Sequence, residues 1–330
     1  MATVTDAAKR IEKPGRYITI SQFSKHTFDD GLFLNEIENV NPSIIGTSVE
    51  YLTRFLLNHN VIQSFEVPIR GYRARLYILS KVKPQKMVLD DDKEKGTDIM
   101  TLTNNIKGLD DNSIISACKC AAYDVWYRNP KRAVEHNYDV LSVNPDADTI
   151  QNIRLMVNRS LDFWKEYGPV VSDGFNFNGE NGNSGYTRKV DAGDGDFLTE
   201  DTIWDFKVIK KEPDTVYAVQ LLLYWIMSQH TWSEKFRKVS KIGIYNPRLN
   251  KAYILPIALI SNEAIRDIED NIIGYNNNEF KFDERIRHEY FGEGTVISAS
   301  PLGNDTLLEI SFDESGTKKL AAKFAKITKI

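Results

Sequence analysis

The chain has 330 residues, of which 42% are hydrophobic and 27% charged, with a net charge of −4. This length leaves room for two or three cores, and the apolar fraction argues against disorder. No apolar run reaches the length of a membrane span, and the polar lead MATVTDAAKRIEKPGRY lacks the apolar centre of a secretory signal, so the default expectation is a cytoplasmic location with no membrane partner. A net-acidic chain carries no broad basic track, so any grip on nucleic acid has to be local.

Residues 1–40 mix polar stretches with the short apolar patches YITI and GLFL and carry no functional signal. After Asn41-Pro42-Ser43, the spacing of Val49, Leu52, Phe55 and Leu56 predicts an amphipathic helix. GYRARLYILSKV alternates and is rich in aromatics, which predicts a strand, and the charged run MVLDDDKEKGTD predicts an exposed loop. SIISACKCAAYDVWYR and DADTIQNIRLMVNRSLDFWKEYG predict two helices, the second capped by Asp146 or Asp148. These make a helical insertion over about residues 85–170. Cys118 and Cys120 diverge around the first of these helices, so a mutual disulfide is not expected, and two thiols cannot complete a zinc or iron–sulfur site. Small buried residues in a reducing compartment are the simpler expectation.

FNFNGENGNSGYTR is a loop or loose hairpin tip, and KVDAGDGDFLTEDTIWDFKV reads as strand, polar turn, strand. Asp196 is expected near the end of the first strand and Asp205 and Lys207 on the second. Side chains alternate along a strand, so Asp205 and Lys207 share a face while Trp204, Phe206 and Val208 point to a core. Half-buried charges need partners, and a cation held by Asp205 and a cross-strand Asp196 satisfies both carboxylates. Mg²⁺ (or Mn²⁺) suits such a site, with Lys207 orienting or deprotonating a water for attack on phosphorus. YAVQLLLYWIMSQHTW is the most apolar helix, KIGIYNPRLNKAYILPI a hairpin turning at Asn246-Pro247, and SNEAIRDIEDNIIGY a helix capped by Ser261 or Asn262. NNNEFKFDERIRHEY reads as a linker, and from Tyr290 onward the chain switches to short strands.

Gly193-x-x-Asp196 followed by Asp205-x-Lys207 resembles the central hairpin of RecB-like PD-(D/E)XK nucleases. Asp194 and Asp191 compete with Asp196 for the first carboxylate position. Gln220 and Tyr224, four apart on the next helix, resemble the Q-x-x-x-Y motif of that family, and Gly46 to Glu50 resembles the start of its first helix. The resemblance covers residues 46–56 and about 190–258. It implies an α/β fold with a PD-(D/E)XK restriction-endonuclease-like core, a mixed central sheet flanked by helices, over residues 1–285. It implies a catalytic set of Lys207, Asp205, Asp196, Gln220 and Tyr224, with Asp196, Asp205 and Glu50 as metal ligands and DNA as substrate.

Phe291-Gly292, Gly294-Thr295-Val296, Phe312-Asp313, Lys318-Lys319-Leu320 and Phe324-Ala325 resemble the C-terminal Tudor-like domain of UvrD/PcrA-type helicases. This implies a small all-β Tudor/SH3-like barrel over residues 286–330 that docks nucleic acid, RNA polymerase or another protein. Lys318, Lys319, Lys323, Lys326 and Lys329 follow Glu314 with no acid among them, which predicts a local basic patch, with Lys318, Lys319 and Lys323 as the binding candidates. A helicase motor is excluded from this sequence, because no G-x-x-x-x-G-K-[ST] loop occurs in it.

Overall fold

The structure, a computed structural model, describes residues 2–135, 139–178, 184–231, 233–275, 280, 282–302, 305–322 and 324–330. The helix α1 (Val4–Arg10) and the short strand β1 (Ser24–Thr27) come first. A long helical stretch follows: α2 (Pro42–Asn58), α3 (Val61–Ser64), α4 (Glu66–Leu79), α5 (Gln85–Glu94), α6 (Ile99–Asn105), α7 (Asp111–Ala121), α8 (Asp124–Arg128), α9 (Pro130–Glu135) and α10 (Ala147–Tyr167). Then come β2 (Ser172–Phe175), β3 (Gly195–Leu198), β4 (Thr202–Phe206), α11 (Thr215–Gln229), β5 (Lys241–Asn246), β6 (Lys251–Pro256) and α12 (Asn262–Asp267), which runs on into a π-helical segment over Ile268–Ile273.

One six-stranded sheet has the order β1-β6-β5-β4-β3-β2. Among the described strands of this sheet, β4 and β5 are the pair that runs parallel, and α11 is the crossover between them. The alternation read from the hairpin sorts residues to two cores. Phe197, Trp204, Phe206 and Tyr245 face α2, α7 and α10. Leu198, Ile203, Ile242, Ile244 and Leu255 face α1 and α11. The body is therefore three layers, helices on both faces of a mixed sheet. Gly243 is required beneath Trp204, because a Cβ there would lie 2.4 Å from the indole.

Two expectations are corrected in the helical stretch. Residues 66–79 form the helix α4 and not a strand: Pro68, Tyr72 and Leu76 are buried four apart, and Arg75 turns to Asp92 at 2.6 Å. The charged run after it is the helix α5 and not a loop. It buries Val88 and Asp92 on one face and exposes most of the rest. The first of the two expected insertion helices breaks at Ala122 into α7 and α8, whereas α10 is continuous, and Asp146 caps it by accepting from Thr149 N at 2.9 Å. Cys118 and Cys120 are free and buried, and burial pushes the Cys118 thiol up to about 12.

The second sheet is five-stranded and antiparallel, in the order β10-β9-β8-β7-β11. Its strands are β7 (Arg285–His288), β8 (Gly292–Leu302), β9 (Asp305–Phe312), β10 (Gly316–Ala321) and β11 (Ile327–Lys329). Part of the segment expected to be a linker is thus the strand β7. The core here is small: Phe280, Ile286, Val296, Leu308, Ile310 and Phe312. No helix among the described residues is long and apolar enough to cross a membrane.

Candidate active site

The expected hairpin is present, with one change of register. β3 begins at Gly195, so Asp196 stands at the start of that strand and not near its end. Phe197 pairs with Trp204 and Leu198 with Ile203, and the next step along this register sets Asp196 opposite Asp205. Two carboxylates facing each other across a strand pair repel. The backbone ladder stops there, and Asp196 Oδ2 accepts the Phe206 N–H at 2.7 Å.

Lys207 lies just past β4 and donates from Nζ to Asp205 Oδ1 at 2.7 Å. The Asp205 side chain is 2% exposed and that of Lys207 21%. The other Asp205 oxygen, Oδ2, is buried with no hydrogen-bond partner among the described residues. Burial pushes the Asp205 carboxyl up to about 6, Lys207 opposing this and Asp196 adding to it. Burial alone would lower Lys207, but Asp205 and Asp196 more than reverse that and hold it as an ammonium. Lys207 Nζ also lies 5.3 Å from the centre of the Tyr217 ring.

The crossover helix α11 covers this corner. Gln220 Nε2 donates to Tyr224 OH at 3.1 Å, and both side chains are buried. Burial first, then the charges on Asp196 and Asp205, raise the Tyr224 hydroxyl far above its ordinary value. Gln220 also reaches Thr5 Oγ1 of α1 at 3.2 Å. The main chain of α1 is tied to the strand lead by Val4 N to Ala192 O at 2.9 Å. Gly193 is needed at that junction, since a Cβ would meet Val4 Cγ2 at 2.6 Å.

Glu50 approaches from α2. Its carboxylate accepts from Arg54 Nη2 at 2.5 Å. Burial pushes Glu50 up to about 7; Arg54 opposes the shift and Asp196 adds to it. Arg54 itself reaches the carbonyls of Asp173 and Asp196 at 3.2 and 3.4 Å and lies over the Phe197 ring. It braces α2 against the start of β3. Of the competing acids, Asp194 is exposed but lines the same cleft, and Asp191 accepts from Ala2 N at 2.9 Å.

Glu50, Asp196, Asp205, Lys207, Gln220 and Tyr224 all line one cleft of about 610 Å³. Among the described residues, no three Asp, Glu, His or Cys side chains converge as a ready-made metal shell. The unpartnered Asp205 Oδ2 and the facing Asp196 nevertheless fit a hard divalent cation that keeps several waters, and such a cation relieves the repulsion between them. Arg54 bonds one Glu50 oxygen, Oε1, which leaves Oε2 as the candidate third ligand from α2. Sequence reasoning missed Arg54 and Thr5. Each matters through bonds to segments more than a hundred residues away, which no local pattern records.

The lysines of the C-terminal domain are not one patch. Lys326 pairs with Glu289 at 2.6 Å and Lys329 with Glu284 at 2.8 Å. Lys318 and Lys319 are adjacent on β10 and point to opposite faces, Lys318 lying over Phe291 and Lys319 standing opposite Glu309. Lys323 lies outside the described residues.

A family model described as the PcrA/UvrD tudor domain matches residues 283–329. DNA helicase II of Haemophilus influenzae is 43% identical over 53 residues, 16% of this chain and 7% of that protein. DNA helicase II of Escherichia coli is 33% identical over 55 residues, 17% of this chain and 8% of that protein. The ATP-dependent DNA helicase PcrA of Leuconostoc citreum is 32% identical over 66 residues, 20% of this chain and 9% of that protein. The chain thus spans less than a tenth of the length of these curated relatives. The antiparallel sheet that closes the chain is a tudor domain of the PcrA/UvrD type.

Proposed function

We propose that the chain is a metal-dependent nuclease with a RecB-like PD-(D/E)XK core, hydrolysing phosphodiester bonds of DNA as an exonuclease or endonuclease. Its C-terminal tudor domain docks it to nucleic acid or to a protein partner such as RNA polymerase, in DNA repair or in defence against foreign DNA. The observation that carries this reading is the buried Asp205–Lys207 pair beside Asp196, with one carboxylate oxygen left unpartnered in an open cleft. Buried charge without a use is costly, and such clusters mark functional sites. The order of elements supports it too. One hairpin brings the two acids and the lysine together, and the crossover helix from that hairpin to β5 supplies Gln220 and Tyr224.

Asp196 and Asp205 would hold Mg²⁺ or Mn²⁺ here, with Glu50 Oε2 as the third candidate ligand. The bound cation supplies Lewis acidity toward the scissile phosphate and lowers the pKa of a water. Lys207, held as an ammonium, orients the attacking water and offsets the charge that grows on the phosphorane oxygens. Gln220, bonded to Tyr224 and to Thr5, positions that corner. The names of the tudor-domain relatives, all DNA helicases, favour DNA as the setting.

The test is cleavage of labelled DNA by purified protein with Mg²⁺ or Mn²⁺, repeated with Lys207→Ala. Loss of cleavage in a folded variant is the expected result. A second reading, a non-catalytic binding protein on a nuclease-like scaffold, has the tudor match in its favour. It predicts metal-independent binding that Lys207→Ala leaves unchanged. RNA run beside DNA settles which backbone is cut.

A further inference from the structure

The nuclease reading leaves one wall of the cleft without a role. The helices α4 and α8 contribute Arg70, Tyr127 and Arg128 to the same cleft. Their side chains remain open to solvent: Arg70 and Arg128 are 50% and 60% exposed, and Tyr127 is 46% exposed. Arg70 Nη1 donates to Tyr127 OH at 3.3 Å, and its guanidinium lies 5.8 Å from the ring centre. Arg128 lies 3.6 Å from Asp124 and against Tyr51, close enough to Glu50 to steady its charge. This group is rigidly mounted, because α4 touches α8 at Gly71, where a Cβ would lie 2.0 Å from the Tyr123 carbonyl oxygen.

We propose that this wall is a strand-binding site, resting on the reading of the cleft as a nuclease centre. Arg70 and Arg128 hold phosphates of a single nucleic-acid strand, and a base stacks on Tyr127. The exposed ring points to one strand, because an unpaired base offers a face to stack on that a paired and stacked base in a duplex does not. Two guanidinium groups flanking an open aromatic ring are the elements with which proteins hold unpaired strands without reading sequence. Each arginine has a carboxylate beside it, Glu66 at 2.5 Å from Arg70 and Asp124 at 3.6 Å from Arg128, so a phosphate binds here by exchanging with that partner; the Arg70–Glu66 pair is exposed on both sides, a weak one to displace.

The experiment is fluorescence anisotropy of the full chain with a labelled oligothymidylate and with a blunt duplex of equal length, in EDTA so that nothing is cut, over a salt series. The wild type should bind the single strand more tightly. Tyr127→Ala should weaken it by roughly 5- to 150-fold, the span of stacking on one aromatic, and Tyr127→Phe should restore it. Arg70→Ala with Arg128→Ala should flatten the salt dependence by about 0.7 for each phosphate no longer neutralised. An oligouridylate arm tells RNA from DNA, and either strand bound through these residues supports the site. Tighter duplex binding, or affinity and salt slope untouched in the double variant of proven fold, overturns it. Failure of the nuclease reading looks different, since cleavage would be absent while these binding effects persist.

Discussion

The α/β body and the C-terminal domain treat charge differently. The body carries many surface ion pairs, but it also sends a few inward: Asp205 with Lys207, Glu38 with Arg248 at 2.9 Å, and Asp30 with Arg159 at 2.6 Å all lie in largely closed surroundings. In the C-terminal domain Arg285 with Asp313, Arg287 with Glu293 and Lys326 with Glu289 sit on the surface, around a core of a few apolar residues. Buried pairs resist loss of one partner and tune pKa values, whereas surface pairs shift little and are screened by salt. On the proposed reading, one region holds reactive groups and the other presents a surface. Similarity to known proteins runs the other way, falling on the region with the plainer chemistry.

The sharpest way to break this contrast is Lys207→Ala. Cleavage should fall by at least about 10²- to 10³-fold, the cost of removing one preorganised charge from a reacting centre. Stability should drop by about 3–5 kcal/mol as Asp205 loses its partner, read by denaturant unfolding with the metal absent. Next is Arg54→Met, which unties α2 from β3. A misplacement of the Asp196 corner should lower kcat by about 10²-fold while the far-ultraviolet spectrum stays the same. Ile310→Ala, at about 2–5 kcal/mol, should unfold the small C-terminal domain in a separate early transition and leave cleavage of naked DNA within about twofold. If cleavage collapses with it, the two regions do not divide labour as described.

The smallest expected effect is in pH. Asp205 at about 6 and Glu50 at about 7 are both raised, so both take up protons earlier on acidification than exposed carboxylates do. Cation binding, followed by calorimetry, should therefore weaken as pH falls from 7 through 6. The metal-free fold should change in the opposite sense. An acid raised in the folded state binds more protons there than in the unfolded chain, so stability increases as pH drops through that window. Glu50→Gln should remove the upper part of both trends.

The hairpin was legible because strand alternation alone puts Asp205 and Lys207 on one face and Trp204 and Phe206 on the other. The C-terminal domain was legible because its turn glycines and strand residues follow a compact local pattern. Helix α4 was not: with Arg70, Arg73 and Arg75 between apolar residues, its sequence satisfies a period of two as readily as one of 3.6. The arginine stems cover apolar surface in a way that polarity patterns do not register. Asp196 was placed at the wrong end of its strand because the Gly-rich lead could extend or bend equally well. The decisive packing partner, α1, comes from the far end of the chain.

That packing has a practical side. Val4 is fully buried, Ala2 is bonded to Asp191, and Thr5 reaches Gln220, so any peptide joined ahead of Ala2 emerges at the rim of the cleft. A purification handle placed there will crowd the very corner being assayed. One placed after Ile330 leaves from an exposed edge of the other sheet instead.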